Sequence, residues 1–428
     1  MRYAAATVLL LAAVFAATAQ RSAFITARDG QLYADGQPYR FVGTNYWYGS
    51  LLGLETDRRR GIIRLRRELD TLKRNGITNL RLMAGAEGSG PLNGVTRVGP
   101  PLQKSPGQFD AVSLDGLDIL LAEMAKRRMR AVIFLSNNWE WSGGFQQYLI
   151  WNGVVPDRWL TERPTWDELR DITAKFYFCR ECMNGYAGQA RYVIGRTNKV
   201  TGRRYTDDPT IMAWEIANEP RPMRPASNEA YAKWIAEAAA SIKSLDPHHL
   251  VTTGHEGSIG TESIELFEKV HADPNIDYLT IHIWPKNWGW FGRDSMAADI
   301  ESAIGRSLSY IRENADVAVR LRKPLVIEEF GFPRDGHAFS AGSPTTLRDR
   351  FYDSILATLG HRRGGITCIA GANFWAFGGT ARPIEGQPFW KPGDPPTGDP
   401  PMEEQGLNSV FDSDRSTLAI IRRAAPRR

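Results

Sequence analysis

Eight apolar runs recur along the chain with helical patterns between them, and this rhythm constrains the fold more than any other feature. The runs lie at 40–46, 77–83, 130–136, 210–218, 249–254, 277–284, 324–330 and 368–375. Two of them, about Trp214 to Ala217 and Leu325 to Ile327, are apolar runs that meet a carboxylate, which is how a buried parallel strand reads. Segments 57–75, 114–128, 227–245, 297–321 and 345–359 instead repeat apolar residues at helical spacing, as in Leu117, Leu120, Leu121 and Met124. Asn75-Gly76 is a helix stop and Ser227 a helix start. Eight strands, largely alternating with helices, predict an α/β fold closed as a (β/α)8 TIM barrel. A chain of 428 residues suits one such barrel, which takes about 250 residues and more than about 400 with insertions. Two turn pairs, Asp29-Gly30 and Asp35-Gly36, predict a small N-terminal β-hairpin capping the barrel bottom. Long loops are expected at 139–208, after strand three, and at 378–411, after strand eight. Both leave the C-terminal strand ends, where barrels build their sites.

Met1-Arg2-Tyr3, an Ala/Leu/Val run to Ala16 and then Ala17-Thr18-Ala19 have the layout of a signal peptide cleaved after Ala19. The expected organisation is a signal peptide over 1–19 and a single catalytic barrel over 20–428. The expected protein is a monomer, secreted to the medium or periplasm and free of membrane after cleavage; an uncleaved anchor is the alternative. Export makes a local disulfide the first reading of Cys179 and Cys182, while Cys368 reads as a buried small hydrophobe. The net charge is +5, and Arg58-Arg59-Arg60 falls on an outer helix, so a solvated face is expected there and no nucleic-acid partner. The seven histidines show no metal-ligand spacing, no Gly-rich phosphate loop follows strand one, and no Gly-x-Ser-x-Gly elbow follows a strand. Neither a metal nor a cofactor is expected.

Two runs deliver acids to the barrel mouth: Trp214 to Pro220 ends on Glu219, and Pro324 to Gly331 carries Glu328 and Glu329. Strands four and seven of an eight-membered ring lie nearly opposite each other, so Glu219 and Glu329 are the expected catalytic pair. Two facing carboxyls are the minimum machinery for glycosidic cleavage, provided their environments separate their pKa values. Arg81, ending strand two, is a candidate to hold one ionised. His282, in strand six, is a candidate to bond the other or the sugar. Glu328 has the opposite pleat parity to Glu329, so only one of the two is expected to face the pore. Glu215 lies deeper and reads as a buried hydrogen-bonding group; Glu256 reads as a sugar-hydroxyl acceptor. Of thirteen tryptophans, Trp47, Trp139, Trp141, Trp151, Trp284, Trp288, Trp290 and Trp375 fall at or after strand ends. Aromatic faces stack on pyranose rings, so the set predicts a sugar-lined cleft, with core packing as the alternative for any one of them. Trp47, Asn138 and Trp139 are among the residues expected to touch substrate.

Four blocks together resemble the retaining glycoside hydrolases of family five, and within it the endo-β-1,4-mannanases. They are Asp207 to Arg221, Asn137-Asn138-Trp139 with Gly143-Gly144, His282-Ile283-Trp284-Pro285 with Asn287-Trp288, and Asn373-Phe374-Trp375-Ala376. The resemblance implies Glu219 as acid/base and Glu329 as nucleophile. It implies Asn218 on the sugar 2-hydroxyl, Arg81 and His282 supporting the acids, and Trp375 beneath the cleaved sugar. Arg221 and Glu256 would contact the leaving-group side. Many members carry tyrosine where this chain has Trp284, whose indole can only donate. The implied activity is retaining endo-hydrolysis of β-1,4-mannosidic bonds in mannan, galactomannan or glucomannan, polymer or oligosaccharide. The alternatives are a β-glucan-active or exo-acting relative, or a non-catalytic sugar-binding barrel.

Overall fold

The computed structural model describes residues 24–360, 362–363, 366–367 and 369–426, so the expected signal peptide and Cys368 lie outside the described residues. The described chain starts with three short strands, β1 (Thr26–Arg28), β2 (Gln31–Ala34) and β3 (Gln37–Tyr39). Eight barrel strands follow: β4 (Phe41–Asn45), β5 (Asn79–Met83), β6 (Arg130–Phe134), β7 (Ile211–Glu215), β8 (Leu250–Thr252), β9 (Leu279–Ile283), β10 (Leu325–Phe330) and β11 (Ile369–Phe374).

These eight make one sheet in the spatial order β8-β7-β6-β5-β4-β11-β10-β9, with every pair parallel. The first barrel strand thus pairs with the last. Only the β8–β9 seam lacks a ladder. It is bridged by Asp277 N–H to Val251 O at 2.8 Å, Thr252 Oγ1 to Tyr278 O at 3.0 Å and His282 N–H to Glu256 O at 3.0 Å. The result is a (β/α)8 TIM barrel whose strand residues are all buried, polar ones such as Arg81 and His282 included.

The N-terminal cap is larger than one hairpin. Strand β2 pairs antiparallel with both β1 and β3, giving two hairpins that share it. Each turn places an Asp-Gly pair at positive φ, near 49° and 73° at Asp29-Gly30 and 50° and 74° at Asp35-Gly36. That is the mirror-image turn that matches strand twist, and it favours this dipeptide. Ile25, Leu32 and Tyr39 from the cap join Phe41, Val132, Met212, Leu250, Tyr278, Val326 and Ala370 in one apolar cluster that plugs the barrel floor. Each fully buried aliphatic side chain there is worth about 1.5–3 kcal/mol.

The expected outer helices are present, at Arg58–Arg74, Asp115–Lys126, Asn228–Leu245, Met296–Leu321 and Thr346–Leu356. Ser227 precedes its helix but makes no side-chain capping bond. Arg58, Arg59 and Arg60 are exposed. No described helix is long and apolar enough to cross a membrane. The 139–208 excursion is mostly helical rather than loop, with helices at Gly144–Trp151, Trp166–Ala174 and Arg180–Ile194. Cys179 and Cys182 are disulfide-bonded at the start of the last of these. A third excursion, 84–114, leaves no period in the sequence because its strands are only two to five residues long. The 378–411 excursion is tied to the barrel where Trp47 Nε1 donates to Gly398 O at 2.7 Å.

Candidate functional site

Arg81, fully buried on β5, sits under the mouth of the barrel. Its Nε and Nη2 donate to the two oxygens of Glu215 at 2.8 and 2.6 Å. Nη2 also reaches Asn218 Oδ1 at 2.8 Å, and Nη1 reaches Asn45 Oδ1 at 3.0 Å and Glu329 Oε1. A buried guanidinium is tolerable only when its forked donors meet acceptors, and here they do. Asn218 is fixed in turn by donating from Nδ2 to Asn137 Oδ1 at 3.0 Å.

Strand β7 stops at Glu215, three residues short of the predicted end. The chain then runs on without a ladder: Asn218 N–H donates to Ser136 O and Glu219 N–H to Gly254 O, each at 2.9 Å. Glu219 itself adopts φ 50°. A positive φ at a non-glycine residue is uncommon and is concentrated at functional sites. Gly254, at φ 79°, makes room for this turn; a Cβ there would lie 2.0 Å from Ala217 O and 2.1 Å from Glu215 Oε1.

Glu219 and Glu329 face each other with His282 between them. One ligand atom from each of the three lies within 4.8 Å of the others. His282 Nδ1 is 2.6 Å from Glu219 Oε1 and 3.3 Å from Glu329 Oε2. Burial pushes this imidazole down to about 4, so it is neutral near pH 7. Trp139 Nε1 donates to Glu219 Oε2, and Trp284 Nε1 donates to Glu329 Oε2 at 3.0 Å. Thus Trp284 supplies the nucleophile candidate with a donor despite replacing tyrosine. Burial raises both carboxyls above the ordinary glutamate range, and the charge of Glu219 raises Glu329 further. Two acids this close share one proton. Arg81 bonds Glu329 and not Glu219, while the charge of Arg221 and the Trp139 N–H act on Glu219, so each acid has its own stabilising partners. These same three residues form the one group of potential metal ligands among the described residues; the guanidinium on Glu329 works against a cation there.

The pleat-parity expectation for Glu328 fails. The β9–β10 register passes from Ile281↔Ile327 directly to His282↔Glu329, so Glu328 is the extra residue of a β-bulge. Both neighbours therefore reach the interior. Glu328 Oε2 lies 3.7 Å from Arg81 Nε and 3.8 Å from His282 Nε2. Burial and the charge of Glu215 raise its pKa.

The carboxyl pair opens into a cleft of about 430 Å³. Its lining includes Trp139, Trp141, Asn218, Arg221, Glu256, Trp284, Asn287, Trp288 and Trp375. Arg221 and Glu256 form a forked pair, with Nη2 2.6 Å from Oε1. Trp284 and Trp375 meet edge to face at 5.8 Å. Other expected residues lie elsewhere. Trp47 is buried against Trp141 and Tyr48 and anchors the 378–411 excursion. Asn138 is fully buried, and its side-chain amide bonds to no described residue. Trp151 packs on Tyr148, and Trp290 on Trp288 and Tyr310. The cleft also takes Trp166, Pro400, Met402 and Glu403 from the two excursions, which no strand-end rule could have found.

Residues 22–427 match a family model described as GH family 5 beta-mannosidase-like. Mannan endo-1,4-beta-mannosidase 1 of Oryza sativa subsp. japonica is 31% identical over 374 residues, covering 82% of this chain and 78% of that protein. The crystal structure of a glycoside hydrolase family 5 mannosidase from Rhizomucor miehei is similar at 32% identity and TM-score 0.83, covering 94% of this chain and 97% of that one. A mutant of the same enzyme in complex with mannosyl-fructose is equally similar, with a TM-score of 0.83, 32% identity and coverage of 94% and 96%. The endo-beta-1,4-mannanase of Thermotoga petrophila, at 23% identity and TM-score 0.65 over 91% of this chain and 77% of that one, shares the fold.

Proposed function

Because this chain belongs to the glycoside hydrolase family 5 beta-mannosidase-like family, we propose that it hydrolyses β-1,4-mannosidic bonds with retention of configuration. One observation carries the mechanism: Glu219 and Glu329 approach within 4.8 Å across the mouth. Retaining enzymes hold their carboxyls about 5–5.5 Å apart, whereas inverting enzymes leave about 6.5–9.5 Å for a water. Glu329, held ionised by Arg81 and the Trp284 N–H, attacks the anomeric carbon. Glu219 gives its proton to the departing glycosidic oxygen. Glu219, now ionised, takes a proton from water, whose oxygen displaces Glu329 from the sugar. His282, neutral, orients Glu219. Asn218 offers its remaining N–H to the 2-hydroxyl, Trp375 stacks beneath the cleaved sugar, and Arg221 with Glu256 meets the leaving-group side. No step calls on a cofactor.

Internal cleavage of mannan is the favoured mode, in keeping with the names of the curated relatives. A second reading, trimming from chain ends, is favoured by the higher similarity to a solved mannosidase than to a solved endo-mannanase, TM-score 0.83 against 0.65. Product lengths from galactomannan and mannohexaose separate the two. Background release from every β-mannan, with turnover of carboxymethylcellulose instead, would overturn the substrate assignment. We also propose export; a mature N-terminus at Gln20 by mass spectrometry supports it, and a retained Met1 contradicts it.

A further inference from the structure

Trp166 is a large aromatic side chain that the mechanism above does not use. It opens helix Trp166–Ala174, is 48% exposed, and lines the same cleft as Glu219 and Glu329. An exposed tryptophan in a cleft is an apolar surface available to a ligand.

The residue is held, not dangling. Thr165 and Glu168 form a capping box around the helix start. Arg170 donates to Met223 O at 2.6 Å and to both oxygens of Glu262 at 2.6 and 2.8 Å. Arg224 reaches Asp171 at 2.7 Å and Asp167 at 3.1 Å. Met223 and Arg224 lie just beyond Glu219, so the helix is tied to the segment that presents the acid. The Trp166 ring stacks on Trp139 at 6.3 Å and 29°, and Trp139 is the donor to Glu219. Arg221 lies 5.2 Å from the Trp139 ring centre and 5.8 Å from that of Trp166.

The two carboxyls therefore have different neighbours. Trp284 and Trp375 stand on the Glu329 side, where the sugar is attacked. Trp139, Arg221 and Trp166 stand on the Glu219 side, past which the leaving fragment must go. We propose that Trp166 is the stacking surface of a distal leaving-side subsite, taking the pyranose one unit beyond the sugar next to the scissile bond. This rests on the hydrolase reading above. An apolar ring face flanked by the Arg221–Glu256 pair fits a neutral hexose with equatorial and axial hydroxyls at its edge.

The test is steady-state kinetics of Trp166→Ala and Trp166→Phe on an aryl β-mannoside and on mannobiose to mannohexaose. The loss in Trp166→Ala grows with chain length, to about tenfold in kcat/KM on mannohexaose and at most about twofold on the aryl mannoside. It is carried mainly by KM, and Trp166→Phe recovers most of it. A loss equal on all substrates, or none on the longest, would overturn the subsite. Wild-type protein inactive on every β-mannoside would instead sink the hydrolase reading, and this inference with it.

Discussion

Replacing Trp284 by phenylalanine removes one hydrogen bond from Glu329 and keeps most of the ring. The bond lost is the 3.0 Å indole N–H to Oε2. A hydrogen bond to a charged group contributes about 1.5–3 kcal/mol. Two effects follow from that one cause. The ionised nucleophile is less stabilised, so its pKa rises, by about one to two units at this energy. The acid limb of the kcat/KM profile moves up by the same amount, because protonated Glu329 cannot attack. In addition, the donor fixes which oxygen faces the anomeric carbon, so its loss lowers kcat/KM at the optimum by roughly 10- to 150-fold if the whole bond is felt in the transition state. The edge-to-face contact with Trp375 is weakened as well, which appears in thermal stability and not in the acid limb. Trp284→Tyr restores a donor and recovers part of the shift. The assay is initial rates on mannohexaose from pH 3 to pH 9, with melting curves alongside. A phenylalanine variant within about twofold of wild type and with an unmoved acid limb refutes the claim that Trp284 holds Glu329 ionised.

Gly254→Ala should destabilise the fold by about 4 kcal/mol or more, since its Cβ would strike Ala217 O and Glu215 Oε1. Gly36→Ala has a similar φ, 74°, but meets nothing within 4 Å, and should cost only about 1–2 kcal/mol; equal costs by urea titration contradict a packing role for Gly254. Burial pushes Glu87 up to about 7 although Ser136, Gln189 and Gly144 all donate to it. Its folded pKa exceeds the unfolded one, so its contribution is intact below about pH 4.5 and lost as pH rises through about 7, on the order of 3 kcal/mol in all. Glu87→Gln should remove that slope; a wild-type-minus-variant stability difference that is the same at pH 4 and pH 8 contradicts it.

The barrel was legible because strands buried on both faces are rich in apolar residues and recur between helical patterns, and all eight lie within a few residues of their predicted spans. Their ends were less legible. The strand pattern of β7 runs through to Asn218, but the ladder yields at Glu215 to single hydrogen bonds that leave the chain free to turn at Glu219. The proposed catalytic pair was visible because each acid closes an apolar run. Alternation turns Glu328 away from the pore because it assumes an unbroken ladder, and a bulge is a property of two strands together. The strands within 84–114 are too short to show a period. Trp166 stands in Thr165-Trp166-Asp167-Glu168, a readable helix start. That this start faces the cleft depends on Arg170 and Arg224 tying the helix to the distant segment just beyond Glu219, which local pattern does not encode. Trp47 had the right place in sequence, but its indole found a carbonyl in the 378–411 excursion instead of the cleft.

Trapping decides whether Glu329 forms a bond to the sugar while Glu219 manages the proton. A 2-deoxy-2-fluoro-β-mannosyl fluoride slows release of the intermediate, and peptide mapping locates the adduct. One fluoromannosyl group is expected on the peptide carrying Glu329, with its carboxylate as the attachment point, together with a first-formed β-anomer from natural substrate by NMR. An α-anomer as first product, or an adduct on Glu219 or Glu328, would contradict it.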